Sequence, residues 1–230
     1  MTMTPPCALV LVSASLSILS APWAFDVAAL NVVFKPLTTG LIIVYAWPRG
    51  RLQPTVRRWI LGGLVLSWIG DVALLWPQQG FLPGLVAFLL AHLAYIAAFT
   101  REHRFLAQPV ALTVYALVAG AVLALLWPSI PAGLRIPVAC YVLALTAMSA
   151  QTAVVGLTAP AHSQRRNRLL MLGGALFMAS DALLATNKFA LPLPAANLWI
   201  LATYWAAQGC IASWLVPPAT PVAPREGSLA

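Results

Sequence analysis

The sequence predicts an all-α membrane protein, a bundle of about eight transmembrane helices with both termini in the cytoplasm. Of its 230 residues, 61% are hydrophobic and only 8% are charged. A soluble domain of this length cannot bury so much apolar surface, so most of the chain must be surrounded by lipid. Residues 1–216 are expected to form one transmembrane helical domain, and residues 217–230 a short disordered cytoplasmic tail.

Eight apolar segments are each close to the roughly 20 residues that a spanning helix needs. They cover residues 6–25, 28–47, 57–76, 81–100, 106–127, 134–157, 168–188 and 194–216. Prolines fall in or beside the loops between them: Pro48, Pro77, Pro109, Pro128, Pro160 and Pro192. The first segment resembles a signal peptide but lacks a basic start, so it is interpreted as an uncleaved helix.

Arginine clusters indicate which loops are cytoplasmic, because positively charged loops stay on that side. The second, fourth and sixth loops hold Arg49, Arg51, Arg57, Arg58, Arg101, Arg104, Arg165, Arg166 and Arg168. The first and third loops hold no Lys or Arg, and the fifth holds only Arg135. In a bacterium the membrane would be the inner one. The net charge of +8 then serves orientation and contact with membrane lipids, so no nucleic acid partner is expected.

Polar side chains recur at helical spacing in five of the segments, so each of these helices presents one polar stripe. Such side chains are costly in lipid, and a common interior cavity is their natural place. Segments one, five and six lack stripes and are interpreted as scaffold. The stripes contain Asn31, Lys35 and Thr38 or Thr39 in the second segment, Ser67 and Asp71 in the third, His92 and Tyr95 in the fourth, Ser180, Asp181, Asn187 and Lys188 in the seventh, and Tyr204 and Gln208 in the eighth.

Asp71 and Asp181 are the candidate catalytic residues. In a dry pocket, one carboxyl is kept protonated by desolvation and by its neighbour's charge, while the other stays ionised beside a cation such as Lys35. This arrangement supplies a general acid and a general base. A set of charge pairs that only joins helices would use the same residues. The candidates for binding or orienting a substrate are Lys35, His92, Tyr95, Asn187, Tyr204, Gln208 and Asn31.

Other functions use similar residues. A proton-coupled transporter of a small or lipid-like solute also needs buried Asp, Lys and His, and the Lys35-Pro36 pair hints at the broken helix that such carriers contain. An inert lipid-binding scaffold is a third interpretation. A metal site at Asp71, Asp181 and His92 has no HxxxH or HExxH spacing to support it, and Ser180 has no nucleophile elbow. Neither a metal nor a cofactor is therefore predicted.

Segments three and seven resemble each other. Each has an arginine cluster, a glycine pair, an aspartate and a leucine pair, as expected from duplication of a four-helix unit. The spacing from the Gly62-Gly63 pair to Asp71 differs by one residue from that between Gly173-Gly174 and Asp181. The alternative is that the glycines only let helices approach closely.

Five motifs together resemble the YhhN-like lysoplasmalogenase family, over Phe34 to Ala212. They are FKPLTTGL from Phe34, the GD of WIGDVALL from Trp68, GFLPGLVAFLLAHLAYIAAF from Gly80, ASDALLATNKF from Ala179 and YWAAQGCIA from Tyr204. The resemblance implies an enzyme of about eight membrane helices that hydrolyses the sn-1 vinyl-ether bond of lysoplasmalogens. The products are a fatty aldehyde and glycerophospho-ethanolamine or -choline.

The resemblance also implies roles for individual residues. The paired acids would be Asp71 and Asp181, and the lysine of the KP pair would be Lys35. Helix four would contribute His92 and Tyr95, and the polar position after the second acid would be Asn187. Because Asp71 is expected to lie nearer Lys35, Asp181 is taken as the acid that protonates the alkene and Asp71 as the base. The lysophospholipid would enter sideways from the bilayer, with its headgroup near Lys35.

Overall fold

A computed structural model describes residues 5–20, 27–76 and 78–218. Within these ranges the chain forms eight α-helices and two short 3₁₀ turns, with no β-strand, so the predicted all-α fold class is confirmed. Each predicted segment overlaps one helix. The helices are α1 (Pro5–Leu19), α2 (Ala28–Ala46), α3 (Pro54–Ala73), α4 (Phe81–Phe99), α5 (Pro109–Leu126), α6 (Ala132–Leu157), α7 (Gln164–Phe189) and α8 (Ala196–Trp214).

Five helices are long and apolar enough to cross a bilayer, and the chain is a membrane protein. These spans are Ala29–Ala46, Phe81–Phe99, Pro109–Ser129, Ala132–Leu157 and Ala161–Phe189. α1 is a shorter apolar helix, α3 carries two arginines and an aspartate, and α8 contains several polar side chains. The inside–outside orientation remains a prediction. The end of the first segment and most of the tail, residues 219–230, lie outside the described residues.

Six helices pack in a ring, in the order α2, α3, α4, α6, α7 and α8, and α8 closes the ring on α2. α1 lies outside the ring against α2 and α8, and α5 lies outside it against α6 and α7. The hydrophobic effect does not hold such helices together in lipid, so close packing and interhelical hydrogen bonds must do so. Examples are the bonds from Trp214 Nε1 to Asn167 Oδ1 at 2.9 Å and from Ser149 Oγ to the Gly174 carbonyl at 3.1 Å.

Glycines create the close helix contacts. A Cβ placed on Gly63 of α3 would collide with the ring of Tyr95 on α4, and one on Gly173 of α7 would lie 2.9 Å from Cys210 Cβ on α8. Gly63 and Gly173 each precede their aspartate by eight residues. The one-residue mismatch in the predicted repeat therefore arises from aligning Gly62, which faces open space, with Gly173. The ring order is likewise equivalent for α2–α4 and α6–α8, which supports the duplication.

We expect Gly63→Ala to lower the thermal unfolding midpoint of the protein in detergent. The added methyl group overlaps the Tyr95 ring, and such overpacking costs about 1–3 kcal/mol. Gly62→Ala is the matched control, because no atom lies within 4 Å of its added methyl group and alanine is the better helix former. Equal midpoints for the two variants would contradict the close α3–α4 contact.

Candidate active site

A cavity of about 510 Å³ lies at one end of the bundle, away from the arginine-rich loops. Its walls come from the C-terminal parts of α3, α5 and α7 and the N-terminal parts of α2, α4, α6 and α8. Most of the lining is apolar, which suits a lipid tail. The polar side chains on its wall are Ser20, Asn31, Lys35, Asp71, Tyr141, Ser180, Asp181, Asn187, Lys188, Asn197 and Tyr204.

Asp71 is 2% exposed and is held by hydroxyl groups from two other helices. Thr39 Oγ1 on α2 donates to Asp71 Oδ2 at 2.6 Å, and the Tyr204 hydroxyl on α8 donates to the same oxygen at 2.9 Å. Of the two predicted alternatives Thr38 and Thr39, Thr39 therefore reaches the site. Thr38 instead contacts Ser13 Oγ on α1 at 2.8 Å. Both hydrogen bonds to Asp71 end on Oδ2, which leaves Oδ1 for a group in the cavity.

In the hydrogen bonds around Asp71, each donor points its proton toward the carboxylate or toward a side chain that is linked to it by hydrogen bonds. Trp205 Nε1 donates to Thr39 Oγ1 at 3.1 Å, and Gln208 Nε2 donates to the Tyr204 hydroxyl at 3.2 Å. The Tyr95 hydroxyl donates to Gln208 Oε1 at 2.7 Å and so fixes the orientation of this amide. Indole and amide N–H groups only donate here, so Thr39 and Tyr204 must turn their own protons toward Asp71. The network therefore favours an ionised Asp71.

Asp181 has a different environment. Its side chain is 13% exposed, and the Tyr141 hydroxyl on α6 donates to its Oδ2 at 2.5 Å. His92 Nε2 on α4 lies 3.0 Å from the Tyr141 oxygen and 3.8 Å from Asp181 Oδ2. The chain of hydrogen bonds from Asp181 thus ends at the buried imidazole of His92.

A cluster of aromatic rings separates the two acid networks and fixes their relative position. The Phe177 ring makes edge-to-face contacts with His92, at 4.8 Å between centroids, and with Tyr204, at 5.6 Å. Phe177 is fully buried. Such pairs each contribute about 0.5–1.5 kcal/mol beyond the burial of their area. The two carboxyl groups are therefore presented to the cavity from rigidly packed helices.

Lys35 and Asn31 lie on the α2 wall of the cavity, as the stripe predicted. The Lys35 charge attracts Asp71 through space, but no direct ion pair joins these two described residues within 4 Å. Asn31 Nδ2 donates to the Ser17 carbonyl on α1 at 3.2 Å, so part of its role is to hold α1. The α2 helix continues through Pro36 without a break, and the Pro36 carbonyl accepts a hydrogen bond from Trp68 Nε1 at 3.0 Å.

Asn187 and Lys188 lie on the cavity wall at the C-terminal end of α7. Asn187 Oδ1 accepts a hydrogen bond from the Leu193 N–H at 2.9 Å, which anchors the loop to α8. The Lys188 ammonium lies 4.8 Å from the centroid of the Phe81 ring on α4. Two lysines, Lys35 and Lys188, therefore contribute positive charge to the cavity near the helix ends.

Three predicted residues, His92, Tyr95 and Gln208, lie behind the cavity wall rather than on it. All three are fully buried: His92 contacts Tyr141, Gln208 contacts Tyr204, and Tyr95 contacts Gln208. Their position suits orienting roles, exerted through Tyr141 and Tyr204. Ser180, weighed as a nucleophile, donates its hydroxyl to the Ile200 carbonyl at 3.0 Å and joins α7 to α8.

The interpretation of segments five and six as scaffold is wrong. α5 supplies much of the apolar wall, and α6 supplies Tyr141, the direct partner of Asp181. The search for polar residues at helical spacing missed Tyr141, because the residues one helical turn away, Val138 and Leu145, are apolar and form no polar stripe with it. A lone tyrosine in an apolar helix was the one available signal. Among the described residues, no three side chains of the metal-binding types are grouped.

The family model described as the YhhN family matches residues 30–215 of this chain. Lysoplasmalogenase TMEM86A of Homo sapiens is 36% identical over 175 residues, which cover 74% of this chain and 70% of that protein. Lysoplasmalogenase TMEM86B of Homo sapiens is 39% identical over 147 residues, covering 64% and 58% respectively. A lysoplasmalogenase of Mycobacterium tuberculosis is 35% identical over 190 residues, covering 79% and 68%.

No solved structure is significantly similar to this chain. The matched region contains both aspartates and all of the cavity lining except Ser20, and it agrees with the resemblance that the five sequence motifs carry. The chain belongs to the YhhN family.

Proposed function

We propose that this protein is a lysoplasmalogenase, an intramembrane hydrolase that cleaves the sn-1 vinyl-ether bond of lysoplasmalogens or related lysolipids. The products are a fatty aldehyde and glycerophospho-ethanolamine or -choline. The observation that carries the proposal is that Asp71 and Asp181, each bonded to a tyrosine hydroxyl, line one largely apolar cavity. The names of the curated relatives support the same reaction.

The proposed substrate lies along the cavity. Its alkenyl chain contacts the apolar wall that α5 and α6 supply, including Val122, Leu126 and Val142. Its phosphate lies toward Lys35, because the lysine cation at the cavity wall compensates the negative charge of the phosphate. The vinyl-ether bond then lies between the tail and the headgroup, within reach of Asp71 and Asp181.

The first half of the reaction adds a proton and then water. Asp181 donates its proton to the outer carbon of the alkene, which forms an oxocarbenium ion on the carbon bonded to the ether oxygen. Ionised Asp71 stabilises this cation. Water attacks the cationic carbon, and Asp71 takes the proton that the water releases. The product of this half is a neutral hemiacetal, with Asp181 ionised and Asp71 protonated.

The second half reverses the roles of the two carboxyls. Asp181 removes the hydroxyl proton of the hemiacetal, the carbon–oxygen bond to glycerol breaks, and Asp71 gives its proton to the departing glycerol oxygen. The aldehyde and the glycerophospho compound leave, and both carboxyls return to their starting states. One water is consumed, and no external proton is needed.

The different surroundings of the two acids support this assignment. Asp71 receives protons from Thr39 and Tyr204 in a network whose outer members only donate, so it favours the ionised form. Asp181 receives one hydroxyl proton, from Tyr141, whereas Asp71 receives two, so the ionised form of Asp181 has fewer stabilising donors. The sequence-based choice of Asp181 as acid and Asp71 as base therefore stands as part of the proposal.

We further propose that the protein is multi-pass and, in a bacterium, lies in the inner membrane. The arginine loops would face the cytoplasm and the cavity would open near the opposite leaflet. A lysolipid could then enter the cavity from the bilayer without leaving the membrane.

Replacement of either acid is expected to abolish most of the hydrolysis. Asp71→Asn and Asp181→Asn each retain the side-chain volume but remove the proton-transfer function, so aldehyde release from lysoplasmalogen should fall about 10²–10⁴-fold. Glu102→Gln is the control, because Glu102 is exposed, contacts Gln53 and lies at the opposite end of the bundle. Aldehyde is measured with purified protein in detergent or vesicles.

Full aldehyde release by both Asn variants would exclude the two-acid mechanism. A wild-type protein that releases no aldehyde, but gives aspartate-dependent flux of a solute across vesicles, would instead favour the proton-coupled transporter. The α2 helix continues through Pro36, so it lacks the helix break that the Lys35-Pro36 pair suggested for a carrier.

The apolar wall should determine which chain lengths are accepted. Val122→Trp places a larger ring in the tail region of the cavity, so kcat/KM should fall at least several-fold more for a long alkenyl chain than for a short one. Leu125→Trp is the matched control, because Leu125 is 80% exposed on the outer face of the same helix. An equal loss for both chain lengths would place the tail elsewhere.

A further inference from the structure

The Tyr141 hydroxyl lies between the carboxyl group of Asp181, a candidate catalytic residue, and the buried imidazole of His92. It is 2.5 Å from Asp181 Oδ2 and 3.0 Å from His92 Nε2. Tyr141 is 8% exposed and touches the cavity, whereas His92 is fully buried behind it. Tyr141 also packs against the imidazole, with 5.2 Å between ring centroids. The three side chains come from three different helices, so their alignment is a product of the fold.

The hydrogen bonds can be assigned by counting protons. A tyrosine hydroxyl has one proton, and Asp181 Oδ2 is the acceptor that takes it. The bond between Tyr141 and His92 must then use a proton on His92 Nε2. His92 Nδ1 is buried and has no hydrogen-bond partner in the part of the chain that the structure describes. A proton on Nδ1 would be an unsatisfied buried donor, which is unfavourable, so the neutral Nε2–H tautomer is selected.

We propose that Tyr141 is a positioning residue that makes the transferable proton of Asp181 reside on Oδ1. The proposal rests on the lysoplasmalogenase function proposed above. The carbonyl oxygen of a neutral carboxyl accepts a hydrogen bond better than its hydroxyl oxygen does, so the bond from Tyr141 to Oδ2 favours the proton on Oδ1. Oδ1 has no hydrogen bond to any of the residues that the structure describes, so it is the oxygen available to a group in the cavity. His92 acts through Tyr141, because its N–H fixes the direction in which the tyrosine proton points.

Positioning matters for this reaction because the proton is transferred to carbon. An alkene carbon accepts a proton only along the face of its π system, so the donor must be held at a defined angle. Misplacement of a reacting group by about 1 Å can reduce a rate by roughly 10²-fold. A carboxylic acid that is free to carry its proton on either oxygen would spend much of its time unable to react.

Tyr141→Phe is expected to lower kcat for aldehyde release about 10–100-fold and to leave KM within about two-fold of the wild-type value. Phenylalanine keeps the ring that packs against His92 and removes only the hydroxyl. Tyr115→Phe is the matched control, since Tyr115 is a partly buried tyrosine on α5 that lies outside the cavity wall. A Tyr141→Phe enzyme with unchanged kcat would overturn the proposal.

Substitution of His92 tests whether it acts through Tyr141. His92→Gln keeps an N–H donor near the position of Nε2, so it should retain most of kcat, whereas His92→Leu should lose as much as Tyr141→Phe. The double variant Tyr141→Phe/His92→Leu should be no slower than Tyr141→Phe alone. Additive losses, or a His92→Gln enzyme as slow as His92→Leu, would show that His92 acts independently or transfers a proton itself, and either result overturns the proposal.

A spectroscopic measurement separates this proposal from the proposed function. In ¹⁵N-histidine-labelled protein, the signals lost in His92→Gln should be those of an imidazole with a protonated Nε2 and a bare Nδ1. A cationic or Nδ1–H imidazole would contradict the assignment. This result does not depend on turnover: if wild-type protein releases no aldehyde, the proposed function fails, while the arrangement of Tyr141 and His92 is still decided by the spectrum.

Discussion

The hydrogen bond from a tyrosine hydroxyl to a buried carboxyl is the interaction on which the rest of this structure depends. A carboxyl in a membrane interior is costly unless protein groups replace the water that it has lost. Tyr204 supplies such a group to Asp71, and Tyr141 supplies one to Asp181. In each case donor and acceptor lie on different helices. The contacts that make the acids tolerable therefore also hold the ring of helices together.

The same contacts explain why the cavity has two kinds of wall. The carboxyl groups come from α3 and α7 and their hydroxyl partners from α2, α6 and α8, and the aromatic cluster around Phe177 lies between the two networks. α5 lies outside the ring, yet it lines the cavity with apolar side chains. A space with a polar centre and an apolar extension suits a molecule with a long tail and one reactive polar bond.

Much of this arrangement could be predicted from the sequence. The apolar segments predicted the helices, because a long apolar segment in a membrane must form a helix. The polar stripes predicted that Lys35, Asp71 and Asp181 would line one cavity, as they do. Tyr141 could not be predicted, since its role depends on how α6 packs against α7 rather than on its neighbours in sequence. Gln208 was placed in the cavity but lies behind its wall, because a stripe identifies a helix face and not the depth of each side chain.

The likeness between the two halves of the chain has a consequence for the origin of the site. Two separate copies of one four-helix chain, paired face to face, would present two chemically identical acids at their shared axis. The two aspartates would then have identical surroundings. Joining the copies into one polypeptide removes that restriction. One aspartate could acquire Thr39 and Tyr204 as partners while the other acquired Tyr141 and His92, so that the two carboxyls differ permanently in their surroundings.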